Sequence, residues 1–269
     1  MAKLILLLCI GVVQFLGAYS FVRDKYLVSI QALDTSRNAY NHICSGAIVA
    51  DNFIVTSASC FRKTANSAPI EFDRGKVRVI AGTQSLDEEN GIIRNVKTVY
   101  LSKTLTSDHY DGDLAVVRLD KKLNQADPRI KVVQLPDHDR VDHHDKSTKL
   151  SGFRSWVRIN VLLSLQVCHP DDSNRMLLCA KALYDTSTNY NIIEALSQED
   201  IGGPVVQSGK LIGVLTDKKA FNQHASRIRF TKVHFLHDFI KKAMNSELDG
   251  GFINFLCKFT KLSAVCQRH

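Results

Sequence analysis

Two groups of side chains in this 269-residue sequence have types and spacings that suit chemistry. The first is cysteine. Of seven, Cys9 lies in the apolar N-terminal run, leaving Cys44, Cys60, Cys168, Cys179, Cys257 and Cys266. An even count suits an oxidising compartment and three disulfides, and spacing alone leaves all of about 15 pairings open. No CxxC motif occurs, which argues against zinc-ribbon and thioredoxin-type chemistry. The second group is His138, His143 and His144 with Asp137, Asp139, Asp142 and Asp145, ligand types that suit zinc or copper. These residues lie in LPDHDRVDHHD, Leu135 to Asp145, which holds Pro136 and has no apolar periodicity. We read it as an exposed polar connector and expect neither a metal nor a cofactor.

The elements that must position such groups begin after the first twenty residues. Met1, Ala2 and Lys3 precede an apolar run from Leu4 to Leu16 and then GAYS, the pattern of a secretory signal, with cleavage expected after Ser20. The run is shorter than the roughly 20 apolar residues of a spanning helix, and no later stretch is long and apolar enough to span. Removing twenty of 269 residues leaves 249, enough for one large or two small domains. A 45% apolar, 23% charged composition with 14 Gly and 5 Pro excludes collagen, coiled coil and wholesale disorder. The net charge of +8 falls to +7 without Lys3, and its excess is scattered in pairs such as Lys121/Lys122, Lys218/Lys219 and Lys241/Lys242. No basic run of five appears, so a nucleic-acid partner is not expected and the pairs read as solvated surface. No Asn-x-Ser/Thr acceptor is present.

Short β-rich runs recur at Tyr26, Gly46, Lys76 and Asp113, and again at Trp156, Arg175, Gly203 and Arg227. Ser208, Gly209 and Lys210 sit between two apolar runs, which predicts a hairpin. In VHFLHDFIKKAM the period changes, and Phe235, Phe239, Ile240 and Met244 mark one face of a helix. Two series of strands and a late helix predict a mostly β protein built as two barrels or sandwiches. Beyond Asn245 a separate-looking extension carries Gly250, Gly251, clustered apolar residues from Phe252 to Leu262, and the last two cysteines. Those apolar side chains need cover from the body or from a partner.

Four ordered segments are more specific. HICSGAIVADNFIVTSASC, His42 to Cys60, resembles the trypsin/chymotrypsin family segment in which a disulfide brackets a hairpin ending on ThrAlaAlaHisCys. YDGDLAVVRL, from Tyr110, resembles the AspIleAlaLeu segment, and QEDIGGPVV, from Gln198, resembles the nucleophile loop GlyAspSerGlyGlyPro. LIGVLTDKK and RFTKVHFLHDFIKKAM resemble the last strands and closing helix. The resemblance implies an all-β fold of two six-stranded antiparallel Greek-key barrels with a C-terminal helix. The implied organisation is a signal over 1–20, a homology domain over 21–245 with barrels at about 21–134 and 146–245, and an extension over 246–269.

The same resemblance places Ser59, Asp113 and Ile201 at the triad positions. A triad needs an imidazole to move the proton and a hydroxyl to attack. Serine is no base near neutral pH, and isoleucine has nothing that attacks a carbonyl. Glu199 stands where a glycine serves the oxyanion hole, adding bulk and negative charge. Ala195 takes the pocket-floor position, and Thr216, Asp217 and Lys218 replace SerTrpGly on the pocket wall. Asp200 matches the aspartate that pairs with a new N-terminal amine in activated relatives. Here only five residues, PheValArgAspLys, separate Ser20 from the strand at Tyr26, where the family uses roughly a dozen, so no activation cut is expected. Asp200 must then find another partner or face solvent.

The resemblance also implies Cys44–Cys60 and Cys168–Cys179 disulfides, with Cys257 and Cys266 pairing locally. It puts Thr148 and Gln207 at the two positions of a family bridge this chain lacks, and Ser197 at one position of another. The function implied is that of a secreted, non-catalytic homolog resembling insect-type regulators of haemolymph or reproductive fluids. Its expected partner is an extracellular protein such as an active protease or its substrate. Two alternatives stand beside it. One is a residual hydrolase using Ser59 or a metal in the connector, and the other is a basic protein that binds polyanions or a surface.

Overall fold

The computed structural model describes residues 24–61, 76–87, 89–102, 112–154, 157–166, 168, 176–185, 200–216 and 228–245. Six strands precede the connector: β1 Leu27–Asp34, β2 Ala39–Ala50, β3 Phe53–Thr56, β4 Val77–Ala81, β5 Ile92–Leu101 and β6 Ala115–Leu119. Six follow it: β7 Lys149–Arg154, β8 Val157–Gln166, β9 Leu177–Asp185, β10 Pro204–Gln207, β11 Lys210–Leu215 and β12 Ile228–Lys232. Antiparallel pairing closes each set into a barrel, in the orders β1-β2-β3-β6-β5-β4 and β10-β11-β12-β9-β8-β7. The expected all-β fold of two six-stranded barrels with a closing helix is therefore what the chain adopts.

Strand alternation explains why two barrels make one body. Successive side chains of a strand point to opposite faces. In β1, Val28 and Ile30 join the core of barrel one while Leu27 joins a cluster shared by both barrels. β2 divides in the same way, with Ile48 inside and Ala47 and Val49 in the seam; β3 places Ile54 inside and Val55 in the seam. Val205 and Phe230 fill barrel two, whereas Val206 and Val214 reach the seam. Strands buried on both faces lose the apolar/polar alternation and read as near-continuous apolar runs.

The Ser208–Gly209 hairpin forms as expected, with positive φ at both residues (49° and 79°), the geometry of a type I′ turn. Neither β5 nor β7 stands out as a strand in the sequence. β5 mixes Arg94, Asn95 and Lys97 with its apolar residues because much of it is exposed. The closing helix is α1, His237–Met244, and it starts later than the apolar pattern suggests. Residues 234–236 form a 3-10 turn, and Phe235 is 40% exposed, which corrects its assignment to the buried face. A 3-10 turn winds by three residues, so Leu236 rather than Phe235 rotates onto the seam. Ile240 and Ala243 are buried, Phe239 and Met244 pack at the margin, and Lys241 and Lys242 lie at the helix end that favours cations. Among the described residues no helix is long and apolar enough to cross a membrane.

Candidate functional site

β3 pairs with β6 so that Thr56 opposes Ala115. The residue after β3 and the residues before β6 must therefore meet, which brings Ser57 to Asp113. A 3-10 turn, Ala58–Phe61, follows, and the Cys44–Cys60 disulfide ties it to β2. Asp113 is fully buried. Its Oδ1 accepts the Ser59 backbone N–H at 2.8 Å, and its Oδ2 lies at hydrogen-bond distance from the hydroxyl oxygens of Ser57 at 2.5 Å, Ser59 at 2.9 Å and Thr216 at 2.7 Å. The Ser57 and Ser59 hydroxyl oxygens are themselves 2.5 Å apart. Burial pushes the Asp113 pKa up, and the hydrogen bonds from Ser57, Thr216 and Ser59 pull against that shift.

The structure thus brings Asp113, Ser59 and Thr216 together and adds Ser57, which sequence reasoning passed over. Ser57 carried a signal, as a hydroxyl two residues from the imidazole position. Thr216, read with the pocket wall, turns its hydroxyl to Asp113 instead. Ser59 contacts Asp113 through both its backbone N–H and its hydroxyl, as one member of this hydroxyl cage.

Ile201 lies in a loop stitched to both barrels. Its carbonyl accepts Ser45 N–H at 2.9 Å, Gly202 N–H donates to Leu215 O at 2.8 Å, and Gly203 N–H donates to Asp200 O at 2.9 Å. The Ile201 side chain is partly buried and packs on the barrel-one core with Ile43 and Cys60. Asp200 does not face solvent: it is fully buried, with its carboxyl against Gly152 of β7, where a Cβ would collide with Oδ1. Glu199, Ala195, Asp217, Lys218, Ser197, Cys257, Cys266, the signal and the extension lie outside the described residues.

Three further features surround this centre. The buried His42 ring meets Ser29 Oγ through Nδ1 at 2.7 Å and stands edge-on to Phe153 at 5.5 Å, a role the sequence reading did not assign. Asp24, just before β1, pairs with Lys149 of β7 and accepts the Tyr26 hydroxyl at 3.1 Å, while Arg158 of β8 donates to the Asp24 carbonyl at 2.9 Å. The N-terminal end of barrel one is thereby fastened to barrel two. The connector is tied down as well: Asp137 pairs with Lys210 at 2.6 Å, and Asp139 with Lys232 at 3.4 Å. Among the described residues no three His, Cys, Asp or Glu side chains come together as a metal-holding group.

The two implied disulfides form, Cys44–Cys60 and Cys168–Cys179. At the absent bridge Gln207 Nε2 donates to Thr148 Oγ1 at 2.7 Å and to Asp142 O at 2.7 Å, and Gln207 Oε1 accepts Asp142 N–H at 2.9 Å. A polar clasp occupies the place of a covalent one. The double substitution T148C/Q207C is expected to oxidise spontaneously and to stabilise the chain by about 2 to 4 kcal/mol. Thiol titration and urea unfolding check this, and two titratable thiols in the folded variant would contradict it.

Two barrels closed by a helix, meeting at a buried aspartate beside a bracketing disulfide, define a chymotrypsin-like protein. The trypsin family profile matches residues 20–240, and the chain belongs to the trypsin family. A curated relative, trypsin zeta of Drosophila erecta, is 28% identical over 204 residues, covering 69% of this chain and 68% of that protein. The inactive serine protease scarface of Drosophila melanogaster is 31% identical over 116 residues, 42% of this chain and 16% of that protein. Among solved structures, a scabies mite inactivated protease paralogue superposes with a TM-score of 0.65 at 19% identity, covering 82% of this chain and 95% of that one. This last likeness carries the fold alone.

Proposed function

We propose that the chain is a secreted, non-catalytic trypsin-family protein that acts by binding another extracellular protein, as scaffold, decoy or cofactor of an active protease. One observation carries the reading. The carboxyl that would orient an imidazole in a working triad spends its oxygens on Ser57, Ser59 and Thr216. With Ile201 packed on the barrel-one core, the chain keeps the scaffold while its described triad positions hold neither an imidazole nor an attacking hydroxyl at the loop. A relative whose name calls it inactive supports a scaffold that outlives catalysis. The two disulfides and the N-terminal signal pattern support an extracellular setting.

The test is capture from the native extracellular fluid with tagged mature protein, light crosslinking and mass spectrometry. A repeatable, stoichiometric protein partner is expected, with crosslinks to this chain that map its interface. Recovery of no specific partner across repeated captures overturns the binding role.

A further inference from the structure

The hydrogen-bond count around Asp113 does not balance if that residue is ionised. Four oxygen–oxygen contacts need a proton between them: Ser57 to Asp113, Ser59 to Asp113, Thr216 to Asp113, and Ser57 to Ser59. Each hydroxyl owns one proton, and a carboxylate owns none, so the three side chains supply three protons for four contacts. The contact left over would be two oxygens at hydrogen-bond distance with nothing between them. The deficit sits in the triangle of Ser57, Ser59 and Asp113 Oδ2.

We propose that Asp113 is held as a neutral carboxylic acid whose own proton closes a hydrogen-bonded ring with Ser57 and Ser59. Oδ2–H donates to Ser57 Oγ, Ser57 Oγ–H donates to Ser59 Oγ, and Ser59 Oγ–H returns to Oδ2. Thr216 Oγ1–H donates to Oδ2 from outside the ring, and Ser59 N–H is satisfied by Oδ1. Every contact then holds one proton.

The surroundings favour the neutral form. Among the described residues, the groups acting most strongly on Asp113 are burial itself and the hydrogen bonds of Ser57, Thr216 and Ser59, with no cation among them. The segment after β3 presents the Ser57 and Ser59 hydroxyls to Asp113, and the residue after β11 presents that of Thr216. Asp200, fully buried like Asp113, lies against Gly152 of β7. A charge taken out of water without a counter-ion shifts its pKa and neutralises.

A protonated carboxyl accepts no proton from Ser59, so the ring closes the route by which Ser59 would become a nucleophile. The inference extends the non-catalytic reading of the same site. Its failure is read in a spectrum, whereas failure of that reading is read as hydrolysis or absent partners.

The sign of the pH effect follows from linkage. An aspartate whose folded pKa is raised stabilises the fold fully below its unfolded value of about 3.9, and that contribution is lost as pH rises through the folded value. Within that window the unfolding constant grows by up to about tenfold per pH unit. The experiment is infrared spectroscopy of the whole mature protein in heavy water at neutral pH, with urea unfolding across pH, on wild type, D113N and S59A. Wild type should show a carboxylic-acid C=O band that D113N lacks. S59A removes two of the four contacts and leaves two hydroxyls that can both serve a carboxylate, so its band should titrate away at lower pH. Its stability should also fall less steeply with pH than that of wild type. If D113N fails to fold, the wild-type and S59A comparison decides alone. A wild-type spectrum with no acid band assignable to Asp113, or parallel pH profiles for wild type and S59A, overturns the proposal.

Discussion

Replacing Gly202 by alanine should destabilise the chain by about 3 kcal/mol or more, enough to remove much of the stability of an ordinary domain. Gly202 has φ of +82°, where a side chain strains the backbone by roughly 1 to 2 kcal/mol. A Cβ there would also run into Thr56 Oγ1 and the Ser45 carbonyl, and would stand 3.2 Å from Ser57 N. Overpacking of this kind typically costs about 1 to 3 kcal/mol. The Thr56 hydroxyl already donates to Ser45 O at 2.7 Å, so moving it breaks a buried bond beside Asp113. Gly209 is the control. Its φ is +79°, yet nothing lies within 4 Å of its missing Cβ, so G209A should show the backbone strain alone. Urea unfolding of both variants checks the difference, and a G202A cost no larger than that of G209A would contradict the packing described around the loop.

Asp113→Leu should cost about 3 to 5 kcal/mol, because three hydroxyls and the Ser59 N–H lose a shared partner inside the seam. An orphaned buried polar group costs about 1 to 3 kcal/mol, and part of that is recovered as the hydroxyls turn to one another. The more telling variant is D113L/S57A/S59A/T216V. Removing both sides of a buried polar contact is close to neutral, so the quadruple variant should recover most of the loss. Thermal unfolding and far-ultraviolet dichroism would read both. A quadruple variant as unstable as D113L would mean that the cage does not account for the cost.

How much of this was legible in the sequence depended on which face each residue turned. The β1, β2 and β3 runs were plain because Leu27, Val28, Ile48, Ile54 and Val55 are buried on both faces of their strands. β5 was not, since Asn95 and Lys97 are exposed and Arg94 is only half-buried, which blurs the pattern. Phe235 misled because apolar spacing cannot distinguish a helix from the 3-10 turn that precedes it. At the site, motif order pointed to Asp113, Ser59 and Ile201 and gave the Ser57 hydroxyl no role. Its importance comes from pairing β3 with β6, a contact across 56 residues that no local pattern carries. Asp200 was read as facing solvent or an unnamed partner; its burial against Gly152 depends on β7, a strand the sequence concealed.

The most direct measurement of the central claim is hydrolysis by the purified mature chain of a broad peptide library, with a serine-directed fluorophosphonate probe run in parallel. Its reference is the S57A/S59A variant. The account predicts no cleavage above that variant and no covalent adduct on Ser57 or Ser59. Cleavage lost on S59A, or an adduct on either serine, would contradict it.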